Sequence, residues 1–176
     1  MKKLLGLFGL FMLASVPAMA QYSGPRVEVN GGYTYRSFEA PGGGPRINFN
    51  GWDAGAAFNV NSWVGVAADI DGTYASPQNI SVHFYSYMFG PRIYPLGHHK
   101  ITPYAHALFG VADIVIPSSP PSNSEFSWEV GGGVDYSVGS HLAIRLGEVD
   151  YERTSNFGGN PDQNNFKYKG GIVFRF

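Results

Sequence analysis

The sequence predicts an all-β fold: an eight-stranded antiparallel up-and-down barrel that crosses a membrane, preceded by a cleaved signal peptide. Three observations predict it. The first twenty residues are built like an export leader. Beyond them, apolar and polar side chains alternate with period two in segments of about ten residues. The connections between those segments alternate between long and short.

The leader begins with Lys2 and Lys3, continues as an apolar run from Leu4 to Val16, and ends in Ala18-Met19-Ala20. Small residues at Ala18 and Ala20 place the expected cleavage between Ala20 and Gln21. The apolar run is about 13 residues, short of the roughly 20 that a permanent membrane helix needs. The chain therefore divides into a signal peptide, 1–20, and one barrel domain, 21–176. No cysteine follows the cleavage point to accept a lipid, and none occurs elsewhere to form a disulfide. Without Lys2 and Lys3, 10 of the 12 basic residues face 13 acidic ones, a net charge of −3. No basic field exists to attract nucleic acid, and no such partner is expected. Only 14% of the residues are charged, 15% are aromatic and 24 are glycine. An exported chain of this kind without a second apolar run leaves the barrel as its membrane class.

The first strand, Val27 to Phe38, sets Val27, Val29, Tyr33 and Tyr35 against Glu28, Asn30, Thr34 and Arg36. In the second, Arg46 to Val60, Trp52, Ala54, Ala56 and Phe58 oppose Asp53, Gly55 and Asn59, and a phase slip near Asn50-Gly51 reads as a bulge. The third, Trp63 to Tyr74, opposes Val64, Val66, Ala68 and Ile70 to Gly65, Ala67, Asp69 and Asp71. The fourth, Val82 to Tyr94, opposes Tyr85, Tyr87, Phe89 and Ile93 to Ser86, Gly90 and Arg92. A fifth runs from Ile101 to Ile114. The sixth is the clearest: Phe126, Trp128, Val130, Val134, Tyr136 and Val138 face away from Ser127, Glu129, Gly131, Gly133, Asp135 and Ser137. The seventh, Leu142 to Thr154, needs a slip near Gly147-Glu148 to keep Val149 and Tyr151 with Leu142, Ile144 and Leu146. The last, Phe166 to Phe176, sets Phe166, Tyr168, Ile172, Phe174 and Phe176 against Lys167, Lys169, Val173 and Arg175.

Long connections at Glu39–Pro45, Ala75–Ser81, Val115–Glu125 and Ser155–Asn165 alternate with short ones at Asn59–Ser62, Pro95–Lys100 and Gly139–His141. Both termini then share the short-turn side, as in barrels with short periplasmic turns and longer external loops.

Alternation alone does not say which face is wet. A soluble lipocalin-like binding barrel would bury the apolar face. The polar faces, however, carry small residues (Gly55, Gly65, Ala67, Gly131, Gly133, Gly171) suited to the narrow interior of eight strands. The apolar faces carry Tyr and Trp near strand ends, like interfacial girdles. The inverse arrangement is thus expected, with Glu28, Arg36, Asp53, Asp69, Asp71, Arg92, Glu129, Asp135, Arg145, Asp150, Glu152, Lys167, Lys169 and Arg175 turned into the lumen as a mixed-sign ionic network. Glu129 and Arg145 are expected there as neighbours. Unpaired charges inside would cost several kcal/mol each, so pairing is required.

The chain resembles the small outer-membrane β-barrel family that includes the OmpA transmembrane domain and OmpX. The resemblance covers Val27 to Phe176 and rests on the loop rhythm, the Gly131-Gly132-Gly133-Val134-Asp135-Tyr136 strand, the Asp150-Tyr151 pair and the ending Tyr168…Ile172-Val173-Phe174-Arg175-Phe176. It implies a monomer in the bacterial outer membrane, with lipid around the wall. It also implies that the barrel-assembly machinery reads the terminal strand through Tyr168, Ile172, Phe174 and Phe176. Membrane integrity, adhesion or contact with a surface ligand through the loops are the roles it suggests.

The alternatives from chemistry are thinner. His98-His99 is a conspicuous pair, but adjacent residues point apart in a strand, so a solvated turn is expected rather than a metal site. Ser86, His106 and Glu129 fall on neighbouring strands and make a triad on paper, as an outer-membrane enzyme acting on lipid acyl chains would need. No local motif supports it. The glycine triplet is followed by no Lys-Ser/Thr and opens no helix, so it cannot cradle phosphate. No enzyme activity, cofactor or metal is expected.

Overall fold

In the computed structural model, residues 24–39, 44–117, 124–155 and 162–176 are described. The signal-peptide reading at Ala20 and Gln21 and the tips of three long connections lie outside them. Eight strands, β1 (Val27–Phe38), β2 (Ile47–Asn59), β3 (Val64–Ala75), β4 (Val82–Ile93), β5 (Ile101–Val115), β6 (Glu125–Ser137), β7 (Leu142–Ser155) and β8 (Asp162–Arg175), pair in chain order, all antiparallel. β8 returns to β1 and closes the barrel. A single turn of 3-10 helix, Pro77–Asn79, lies between β3 and β4. Among the described residues no helix is long and apolar enough to cross a membrane; strands do the crossing. Closure satisfies every ladder without leaving an edge, as lipid demands.

The wall is inverted relative to a soluble barrel. Phe89 and Val130 are 65% and 47% exposed on the outside, whereas Asp71, Asp150 and Lys167 are fully buried within. This overturns the lipocalin-like alternative, since water outside would meet a nearly continuous apolar belt. Trp52 lies over its cross-strand partner Gly72 on the outer face; a Cβ there would come within 3.0 Å of the indole.

Two expectations need correction, and a third is met. β2 has no bulge at Asn50-Gly51: its pairing with β1 and β3 runs through both residues without a break. The alternation persists because Phe49 points inward, where it packs with Phe38, Phe84 and Ala112 in an apolar plug. β8 begins at Asp162, four residues before Phe166, so Gln163 and Asn165 also enter the lumen. The slip expected in β7 near Gly147-Glu148 is present, between Arg145 and Glu148; Leu146 and Gly147 are both exposed and Glu148 turns inward. Val149 and Tyr151 keep the outward face with Leu142, Ile144 and Leu146.

Candidate functional site in the barrel lumen

Period two on all eight strands sends every second side chain inward, and the antiparallel register decides which of them meet. Near the end that holds the termini, Arg175 on β8 reaches Glu28 on β1 at 2.9 Å and Asp135 on β6 at 3.4 Å. Tyr94, in the turn after β4, donates to Glu28 at 2.9 Å, and burial pushes its hydroxyl above the ordinary pKa so that it stays a donor. Arg145 bridges Asp135 at 3.1 Å and Glu148 at 2.9 Å. Arg92 and Arg145 both lie over the Tyr104 ring, 4.6 and 4.9 Å from its centroid.

In the middle, Lys169 on β8 stands 2.9 Å from Asp69, 3.2 Å from Glu148 and 3.2 Å from Asp150. Lys167 contacts Asp71 at 2.8 Å and also pairs with Glu129. Asp53 is held by Asn30 at 3.1 Å and Thr34 at 3.2 Å. Toward the other end Arg36 pairs with both Asp71 and Glu152, and its guanidinium lies 3.7 Å from the centroid of Phe84. Beside it lies the buried Phe38, Phe49, Phe84 and Ala112 cluster. A second apolar group, Ala57, Ala67, Met88 and Leu108, lines the interior of β2 to β5.

Glu28, Arg36, Asp69, Asp71, Arg92, Glu129, Asp135, Arg145, Lys167, Lys169 and Arg175 are thus all buried inside. The Glu129–Arg145 contact is not formed. Glu129 lies opposite Glu152, whereas Arg145 lies opposite Asp135, so the two are separated along the barrel and each takes another partner. The paper triad fails for the same reason. His106 pairs across with Arg92, six residues along β4 from Ser86, and Ser86 donates to Asp71 at 2.5 Å. His98 is not a solvated turn residue: its imidazole is buried, 3.5 Å from Glu28 and stacked on Tyr94 at 4.1 Å between centroids. His99 remains exposed.

Glu148, Tyr94 and Tyr104 are lumen residues that the alternation did not single out. Glu148 depends on which residue of the β7 slip is skipped. The terminal side chains Tyr168, Ile172, Phe174 and Phe176 stand on the outer face, each about half exposed or more. The backbone of Phe176 donates to Val27 at 2.8 Å and accepts from Arg26 at 2.7 Å, fastening the end of the chain to β1.

The sequence matches the outer membrane protein beta-barrel domain family over residues 6–176. Curated proteins gave no sequence match. Among solved structures, Neisserial surface protein A superposes with a TM-score of 0.75 at 13% identity, covering 88% of this chain and 99% of that one. Ail of Yersinia pestis does so at 0.59 and 19%, with 87% and 99% covered. OprG of Pseudomonas aeruginosa follows at 0.60 and 11%, with 88% and 97% covered. At such identities the likeness concerns the fold. The family match spans nearly the whole chain and agrees with the closed, inverted barrel, so this protein belongs to the outer membrane protein β-barrel family and resides in the bacterial outer membrane.

Proposed function

We propose that this barrel is a structural outer-membrane protein that acts through its long connections, as a monomer ringed by lipid, and is neither a channel nor an enzyme. The filled lumen supports this reading. Arg36, Arg92, Phe49, Phe84, Lys167 and Glu129 are among the largest side chains with under 2% exposure, bulk that leaves a narrow interior little room for a pore. Eight strands enclose an interior that side chains fill. What remains for recognition is the rim, where function on a rigid scaffold commonly sits. A second solved structure of Ail holds the heparin analogue sucrose octasulfate, which makes a surface ligand the natural class to test here. Adhesion and support of membrane integrity are the two roles within this reading.

The test is a deletion strain complemented by the wild-type gene or by a version with the four long connections shortened. Loss of surface binding with the shortened version, at normal barrel levels, is the expected result. Full complementation of both surface binding and detergent resistance would overturn the loop reading. We further propose cleavage after Ala20, checked by N-terminal sequencing of the mature protein. Recognition of the terminal strand by the assembly machinery is proposed with it.

A further inference from the structure

We propose that the lumen binds a divalent transition-metal ion of the zinc type between His106, Glu129 and Asp150. The three residues come from β5, β6 and β7, and the site is built around a missing side chain. Gly131 lies opposite His106 on one side and opposite Asp150 on the other. A Cβ on Gly131 would fall 2.0 Å from the Asp150 carboxylate, so only glycine lets the imidazole and that carboxylate meet across β6. Glu129 is the next inward residue on the same strand. All three side chains are at most 1% exposed, and a ligand atom from each lies within 4.8 Å of the others.

The spacing suits a metal. His106 Nε2 is 3.0 Å from Asp150 Oδ1 and 3.9 Å from Glu129 Oε1. Tetrahedral zinc with bonds of about 2.1 Å needs its donors about 3.4 Å apart, between those two values. Despite the 3.0 Å approach, neither His106 nitrogen and neither Asp150 oxygen makes a hydrogen bond among the described residues. One imidazole and two carboxylates are a donor set that zinc and its neighbours accept.

The charge balance points the same way. Among the described residues the interior buries nine carboxylates, including Glu148 and Glu152, against six arginines and lysines. The lysines are oversubscribed, since Lys169 faces Asp69, Glu129, Glu148 and Asp150 within 4 Å. An ion at the three-residue site would relieve this. Lys169 would keep Asp69 and Glu148, and Lys167 would keep Asp71.

The test starts from chelator-treated protein unfolded in urea and refolded into detergent with Co²⁺ or Zn²⁺. It is then desalted in chelator, and metal per chain is read by mass spectrometry and cobalt absorption. A variant with His83, His99 and His141 changed to Gln removes histidines outside the lumen. We expect this variant and the wild type to retain about one ion per chain, and His106→Gln to retain at least about tenfold less. If the surface-histidine variant comes out without metal, or His106→Gln keeps it, the proposal fails. Should His106→Gln not fold, retention by the surface-histidine variant carrying His98→Gln as well, which leaves His106 as the only histidine of the chain, decides alone: a lumen ion survives the chelator and a surface ion does not.

Discussion

The lumen is made of two materials, and they hold the barrel in different ways. Among the described residues, strands β6 to β8 contribute nine of the fifteen buried charged residues, arranged so that most cations serve several carboxylates. Strands β2 to β5 contribute the Ala57, Ala67, Met88 and Leu108 group, which touches through dispersion and shape alone. Removing a group from the first leaves a desolvated partner behind, whereas the second responds only to volume. The charged side should therefore fail abruptly and the apolar side by degrees.

Arg36 is where the abrupt behaviour should be largest. It is fully buried and pairs with both Asp71 and Glu152. Asp71 keeps Lys167 and Ser86, whereas Glu152 keeps a 3.3 Å contact from Ser127 and loses its paired guanidinium. Arg36→Met should cost about 3–5 kcal/mol, read by urea unfolding in detergent micelles. Adding Glu152→Gln should recover part of the loss, giving a clear coupling in the double-mutant cycle. A loss under about 1 kcal/mol, the range of an exposed ion pair, would remove the distinction between the two sides.

The lipid face sets a scale between them. Val130 lies mid-strand on the outside of β6, directly after inward Glu129. At the bilayer midplane Val130→Arg should cost about 2–4 kcal/mol. Equal folding of the variant and the wild type in lipid vesicles would mean that β6 is assigned inside out. On the apolar side of the lumen, Met88→Leu conserves volume and should cost less than about 1.5 kcal/mol. Lys169→Met, equally conservative in length, should cost more than Met88→Leu in the same assay, because four carboxylates share that ammonium. Similar losses for both would show that packing rather than charge governs the whole interior.

The two materials also differ in how far the sequence reveals them. Charges on the inward phase are legible strand by strand, because an ionised side chain cannot face lipid and alternation leaves it one place to go. Who pairs with whom is not legible. The lumen contacts run across the barrel, and the β6–β7 register puts Arg145 opposite Asp135, six residues along β6 from Glu129. The apolar interior is hidden for the opposite reason. Phe49 looks like a lipid-facing residue out of phase, which makes a bulge at Asn50-Gly51 the natural reading, yet it belongs to the plug with Phe38 and Phe84. An apolar side chain fits either face of such a wall, so its phase carries less information than that of a charge. Of the His106, Glu129 and Asp150 cluster the sequence offers His106 and Glu129 on neighbouring strands, but Asp150 joins them only through the β6–β7 register and the emptiness at Gly131.

The smallest effect on stability is expected at Phe176, and it separates folding from assembly. The side chain is 66% exposed on the outer wall, while its backbone fastens β8 to Arg26 and Val27. Deleting the residue would remove both functions at once. Phe176→Leu keeps the backbone bonds and an apolar side chain of similar size, so the purified protein should refold in detergent within about 0.5 kcal/mol of wild type, as surface substitutions generally do. The proposed assembly signal makes a different demand. Until β8 meets β1, both strands carry unpaired backbone groups that lipid cannot satisfy, and a partner that pairs with the free edge would hold it by anchors at Tyr168, Ile172, Phe174 and Phe176. Losing the terminal aromatic ring should then slow insertion in cells and raise periplasmic degradation several-fold while refolding in vitro is unchanged. Pulse-chase labelling with heat-modified gel mobility reads both quantities. Normal insertion of Phe176→Leu would reduce Phe176 to one more lipid-facing side chain, and closure of the barrel would then rest on its backbone alone.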